Sequence, residues 1–135
     1  MKGKLFCGLA AISLFLAAVP AAAHHSIAAE FDRNKPVKVR GVVTSMMWSN
    51  PHAWLYLDVK DPDGTVSHWG FELNGLNALY RQGWRKADLP AGTELTVEGF
   101  LSKTNPHVGN SQSITLPDGH KLFSGPPPSK VETGR

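Results

Sequence analysis

Asp61-Pro62-Asp63-Gly64 separates two runs of alternating side chains, and it leaves the chain little freedom on either side. Pro62 brings a φ already set for the second position of a β-turn, and Gly64 tolerates the positive φ that closes a tight reversal. Before the turn, from Ala53 to Val59, Leu55, Leu57 and Val59 alternate with Trp54, Tyr56 and Asp58. After it, from Thr65 to Leu73, Ser67, Trp69, Phe71 and Leu73 alternate with Val66, His68, Gly70 and Glu72. Successive side chains of a strand point to opposite faces, so a period of two marks a sheet with one face on a core. A tight reversal between two such runs makes them pair antiparallel. The hairpin is therefore expected to bury Trp69 and Phe71.

The same reading extends along the chain. Val37, Val39, Gly41 and Val43 alternate with Lys38, Arg40 and Val42, and the run continues through Met46-Met47-Trp48. This predicts a first strand of about a dozen residues. Gly41 within it predicts a bulge or sharp bend, and Ser49-Asn50-Pro51 ends it. Between Gly75 and Gly83 the period changes: Leu76, Leu79 and Tyr80 fall at helical spacing, with Asn74 as N-cap and Gly83 as stop. Trp84 then packs back. Pro90-Ala91-Gly92 turns into a strand from Thr93 to Leu101, and a loop from Thr104 to Asn110 follows. Ser113–Leu116 and Lys121–Phe123 flank the turn Pro117-Asp118-Gly119. The order strand, strand, strand, helix, strand, strand predicts an all-β class with one short helix. Its architecture is a small five-stranded OB-fold-like Greek-key barrel over residues 36–123. An unrelated β-sandwich is the alternative, because element order does not determine topology.

Residues 1–23 read as a secretory signal peptide. Lys2 and Lys4 precede an uncharged apolar run from Leu5 to Val19, and Ala21-Ala22-Ala23 offers a small-residue cleavage site. The run is shorter than the roughly 20 apolar residues of a spanning helix, and Pro20 interrupts it. The expectation is a periplasmic or secreted protein, cleaved after Ala23, with no membrane span left. Cleavage removes Cys7, the one cysteine among 135 residues, and two of the fourteen Lys and Arg, which brings the domain close to neutrality. A processed chain of this kind has no disulfide, thiolate nucleophile, Cys-based zinc site or haem attachment motif. It also lacks the clustered cations that phosphate binding draws on, so nucleic acid is not an expected partner. Residues 24–35 read as an N-terminal arm anchored by Phe31. Residues 124–135, with three consecutive prolines, read as a disordered tail.

All six histidines lie beyond the cleavage point. His24 and His25 would open the processed chain, where an α-amine, an imidazole and the intervening amide supply nitrogen ligands suited to copper(II). Asn50-Pro51-His52 recurs as Asn105-Pro106-His107, and in the OB order these triplets occupy two loops bordering one ligand-binding face. One reading brings His52 and His107 together as metal ligands. The other is turn chemistry, since Asn and Pro favour reversals for backbone reasons. His68 shares a strand face with Glu72 and, across the hairpin, with Trp54 and Tyr56. Trp48, Trp54, Tyr56 and His68 form a candidate ligand platform, with core packing as the competing role for the aromatics. His120 follows a turn into solvent. Asp58 and Glu72 are a candidate carboxylate pair, ordinary on the wet face of a hairpin. No nucleophile elbow, zincin helix, Walker loop or dinucleotide fingerprint occurs, and no enzyme activity is expected.

Taken together, His24-His25-Ser26, Glu30-Phe31-Asp32, Gly41 with Val43, Asn50-Pro51-His52 with Trp54, Gly83-Trp84, Gly92, Val97-Glu98-Gly99 and Leu116-Pro117-Asp118-Gly119 carry a resemblance. The chain is similar to the small exported bacterial proteins grouped as domain of unknown function family 6152. That resemblance implies an envelope location and a single β-rich domain, and brings no established activity. Asn105-Pro106-His107 is not part of the pattern, which favours His24, His25 and His52 as ligands. Two functions from different classes follow: a small exported binding protein holding copper or a similar metal through histidines, or a metal-independent interaction module. Its partner in the second case is an envelope protein, a glycan or a small ligand.

Overall fold

Six strands and two short helices make up residues 27–125, the part of the chain that the computed structural model describes. In chain order they are α1 (Ile27–Glu30), β1 (Phe31–Met47), β2 (Trp54–Lys60), β3 (Val66–Glu72), α2 (Leu76–Arg81), β4 (Glu94–Ser102), β5 (Val108–Thr115) and β6 (Lys121–Phe123). The fold is mostly β, as the alternation predicts. The segment read as a signal peptide, His24, His25 and residues 126–135 lie outside the described residues. Within them, no helix is long and apolar enough to cross a membrane.

The turn at Asp61–Gly64 forms as its composition dictates. Gly64 has φ 88°, its N–H donates to the Asp61 carbonyl at 2.9 Å, and the Asp61 N–H donates to the Thr65 carbonyl at 2.8 Å. Asp63 accepts from the Thr65 hydroxyl at 2.6 Å and the Thr65 N–H at 2.9 Å. Those two bonds favour the ionised form and hold its carboxyl below the usual carboxylate range. From this turn β2 and β3 pair antiparallel without a slip, from Trp54 opposite Glu72 to Lys60 opposite Val66.

β1 is long enough to serve two neighbours. Its first part, from Phe31 to Val42, pairs with β4, and its last part, from Val42 to Met47, pairs with β2. β4 pairs antiparallel with β5, and β5 meets β3 in parallel through Gly70–Val108, Phe71–Gly109 and Glu72–Asn110. Each of β1 to β4 thus has two hydrogen-bonded neighbours and β5 has three, and the succession β1, β2, β3, β5, β4 returns to β1. β6 extends β5. Inside, Leu55 and Leu57 of β2, Phe71 of β3, Val43 of β1, Val97 of β4 and Ile114 of β5 are at most 2% exposed and form one core. Leu79 of α2 and Trp84 join it, and Trp84 packs back as expected, its Nε1 donating to the Phe123 carbonyl at 2.7 Å.

Several boundaries differ from the sequence reading, each for a tertiary reason. β1 begins at Phe31, so part of the segment read as an arm is strand: Asp32-Arg33-Asn34-Lys35 has no apolar alternation, yet Phe31 and Asp32 find partners in Ser102 and Leu101. The bulge expected at Gly41 falls between Val43 and Ser45. Gly41 instead permits a close approach, since a Cβ there would lie 2.7 Å from the Asp58 carbonyl oxygen. β5 starts at Val108, well before Ser113, because the polar run Gly109-Asn110-Ser111 is buried without an apolar pattern: Gly109 and Asn110 pair with both β3 and β4, and Ser111 pairs with β4 and meets Ser124. Asn74 does not cap α2. The N-cap is Gly75, and the Leu76 N–H donates to Asn50 Oδ1 at 2.9 Å. Ser124 is fully buried, its Oγ 2.5 Å from Ser111 Oγ and its N–H donating to the Gln112 carbonyl at 3.0 Å. Residues 124 and 125 therefore belong to the fold and not to a tail.

Candidate functional site

Three rows of paired residues build the outer face of β1, β2 and β3. Met47, Trp54 and Glu72 stand in one row, Ser45, Tyr56 and Gly70 in the next, and Val42, Asp58 and His68 in the third. Residues directly opposed in a sheet share a face, and Leu55, Leu57 and Phe71 take the other face into the core. The three rows consequently lie on the face turned away from that core, with Glu72 buried there under its neighbours.

Trp54, Tyr56 and Gly70 line an open groove of about 690 Å³ on this face. The Trp54 and Tyr56 rings lie nearly parallel, centroids 6.4 Å apart and planes at 16°. Gly70 makes this arrangement available: a Cβ there would already touch Tyr56 Cε1 at 3.4 Å and Trp54 Cε3 at 3.8 Å. The rings rest on bare backbone. One wall comes from the β4–β5 loop, where the Asn105 side chain accepts the His107 N–H at 2.9 Å. The Gly70 N–H donates to the His107 carbonyl at 3.0 Å, and the His107 ring sits 5.2 Å from that of Trp69. Thr44 and Ser45 also line the groove, and both are exposed at the β1 bulge, which breaks the alternation there.

At one end Asp58 Oδ1 lies 2.6 Å from His68 Nδ1. An ionised carboxylate only accepts, so Nδ1 carries the hydrogen and the other ring nitrogen is left for solvent or a ligand. Among the described residues, no Lys or Arg lines this groove. The arrangement can stack a flat ring on two aromatic faces and hydrogen-bond its edge to Asp58, His68 and Asn105.

Trp54, Tyr56, His68 and His107 thus come together, while Trp48 and His52 do not join them. The β1–β2 ladder ends at Met47, and Trp48 turns to α2, crossing the Tyr80 ring at 78° and donating from Nε1 to its hydroxyl at 3.2 Å. His52 Nδ1 lies 3.3 Å from the Leu73 carbonyl oxygen and 3.4 Å from Glu72 Oε1. Asp58 and Glu72 are not a carboxylate pair: each faces a histidine, with the Tyr56–Gly70 row between them. The two Asn-Pro-His triplets also serve different ends, since Asn50 reaches α2 and Asn105 closes its own turn. No three His, Cys, Asp or Glu side chains among the described residues are placed to hold a metal ion. Gly70, Thr44 and Ser45 lie outside the residues expected from the sequence, and Asn105 enters there only as part of its triplet. For Gly70 the signal was present, because the Asp61–Gly64 turn puts it opposite Tyr56.

The family model described as Family of unknown function (DUF6152) matches residues 11–111. The chain belongs to this family. The DUF6152 match takes in both Asn-Pro-His triplets and every residue lining the groove. No match to a curated protein was found.

Proposed function

We propose that this DUF6152 protein is an exported, OB-like binding module that holds a glycan in the β2–β3 groove and performs no reaction on it. The returning succession of five strands, the parallel β3–β5 contact and the helix between β3 and β4 support an OB-like barrel. In that architecture the face of the second and third strands, with the loops beside it, receives ligands. The single observation that carries the reading is the near-parallel Trp54–Tyr56 pair over Gly70. A sugar ring has an apolar C–H face and a hydroxyl edge, which suits aromatic stacking with a few convergent polar groups. No Lys or Arg among the described residues lines the groove, which speaks for an uncharged ring rather than a phosphate. Export rests on Lys2, Lys4, the Leu5–Val19 run and Ala21-Ala22-Ala23.

The test is titration of the secreted protein with soluble β-linked glucose and N-acetylglucosamine oligosaccharides, followed by calorimetry and tryptophan fluorescence. Trp54→Ala and Tyr56→Ala are each expected to weaken binding about tenfold or more, the equivalent of one or two lost stacking contacts. Trp48→Ala leaves it unchanged. Full affinity in both groove variants, or no saturable binding of any of these sugars, overturns the reading.

Copper binding is a second reading, carried by His24-His25 at the expected processed terminus. A copper(II) titration of the processed protein tests it. Affinity unaltered by His24→Ala with His25→Ala, and by His52→Ala, removes those histidines as ligands.

A further inference from the structure

The groove does not end at Asp58. Arg40, Val42, Asp58, Lys60, Val66 and Glu94 line a second open hollow of about 500 Å³, and Asp58 borders both. Register places the two on one face. Glu94, Val42, Asp58 and His68 stand opposite one another across β4, β1, β2 and β3, and Lys60 stands opposite Val66 beyond them. From Trp54 to Lys60 the trough follows about 20 Å of strand.

The chemistry of the first half is repeated in the second. The floor is again apolar, with Val42 41% and Val66 54% exposed. The rim is again polar, and Arg40 is ion-paired with Glu94. Across this half two cations, Arg40 and Lys60, offset two carboxylates, Asp58 and Glu94, so the trough presents no net charge to attract an ionic ligand. Beside the aromatic pair an added strand is also disfavoured as occupant, because Gly70–Glu72 of β3 are already paired with β2 on one side and β5 on the other and offer no edge to an extended peptide. What fits is a chain whose successive units each have an apolar face, a hydrogen-bonding edge and no charge.

We infer that the ligand is a linear, uncharged oligosaccharide lying along β2, with one ring on Trp54 and Tyr56 and later units passing Asp58 onto Val42 and Val66. This rests on the glycan reading above and adds to it a length and a second contact.

The experiment titrates the secreted protein with two ladders, β-1,4-linked glucose and β-1,4-linked N-acetylglucosamine, each from the monosaccharide to the hexasaccharide. Affinity is expected to rise about tenfold or more from disaccharide to tetrasaccharide. The double variant Val42→Asp with Val66→Asp loses that gain and keeps disaccharide binding. The milder pair Val42→Thr with Val66→Thr, compared by circular dichroism, reports the same loss where the charged pair perturbs folding. Equal affinity along a ladder whose binding Trp54→Ala abolishes overturns the extended trough and leaves the glycan reading intact. A gain that survives in both valine variants also overturns it. No saturable binding of either ladder overturns both readings.

Discussion

Asp58 Oδ1 stands 2.6 Å from His68 Nδ1 across the β2–β3 ladder, and this pair sets which edge of the imidazole faces the groove. An ionised carboxylate has no hydrogen to give, so neutral His68 holds its proton on Nδ1 and turns the Nε2 lone pair outward. Nitrogen-15 NMR is expected to find neutral His68 in the Nδ1–H form. Asp58→Ala moves it toward the Nε2–H form, with His107 unchanged as an internal reference. Identical His68 spectra in the two proteins would show that the pair does not form in solution.

Gly70 leaves the Trp54 and Tyr56 rings in reach of its backbone, where any side chain would meet both. A Cβ at 3.4 Å from Tyr56 is an ordinary contact, so Gly70→Ala is expected to retain glycan affinity within about threefold. The extra methyls of Gly70→Val have no room beneath the rings and must lift them, at a cost of about tenfold or more in affinity. Valine suits a strand, and stability should shift by no more than about 1 kcal/mol. Urea unfolding and calorimetric titration of the same samples separate these effects.

Asn50 supplies from a distant loop the cap that α2 lacks locally. Asn50→Ala is expected to destabilise the protein by about 1 kcal/mol, the usual cost of an orphaned first-turn N–H. Asn50→Asp, which keeps an acceptor oxygen near a helix start, largely preserves stability. Asn105→Ala has the smaller effect, because its bond spans two residues of one loop and ties no distant element to it. Equal urea midpoints for Asn50→Ala and the parent chain would count against the cap.

Glu98 carries a pH dependence of definite sign. Its carboxyl is held below the usual carboxylate range, first by the hydrogen bond from Lys121 at 3.1 Å and then by the charges of Lys121 and Lys38. A folded-state value below the unfolded one means that the stabilisation is present above the unfolded pKa and disappears as pH falls through the folded one. The group is largely in solvent, so the contribution is about 0.5 kcal/mol and is screened by salt. Urea unfolding of Glu98→Gln beside the parent chain should show a gap at neutral pH. The gap narrows below the ordinary carboxylate range and also narrows with added salt.

The β2–β3 hairpin was legible because everything that specifies it is adjacent in the chain. Turn chemistry at Pro62 and Gly64 and alternation on both sides define its register, and that register alone puts Trp54, Tyr56, Asp58 and His68 on one face. The helix at Leu76–Arg81 and the burial of Trp84 followed from spacing in the same way. The start of β1 at Phe31 and of β5 at Val108 were not legible. Their residues are polar, and their strand geometry comes from hydrogen-bonding partners far away in sequence.

Asn50-Pro51-His52 and Asn105-Pro106-His107 mark the division most sharply. By itself the sequence determined that both triplets interrupt strands, since Asn and Pro impose backbone conformations wherever they occur. Only the tertiary structure decided that His107 walls the groove beside Trp69, while His52 is drawn to the Leu73 carbonyl and Glu72. Local sequence acts through backbone preferences and side-chain period, and the residues that set those preferences are the same in the two triplets. What each histidine meets depends on which distant strands pack around its loop, through contacts that no local pattern contains.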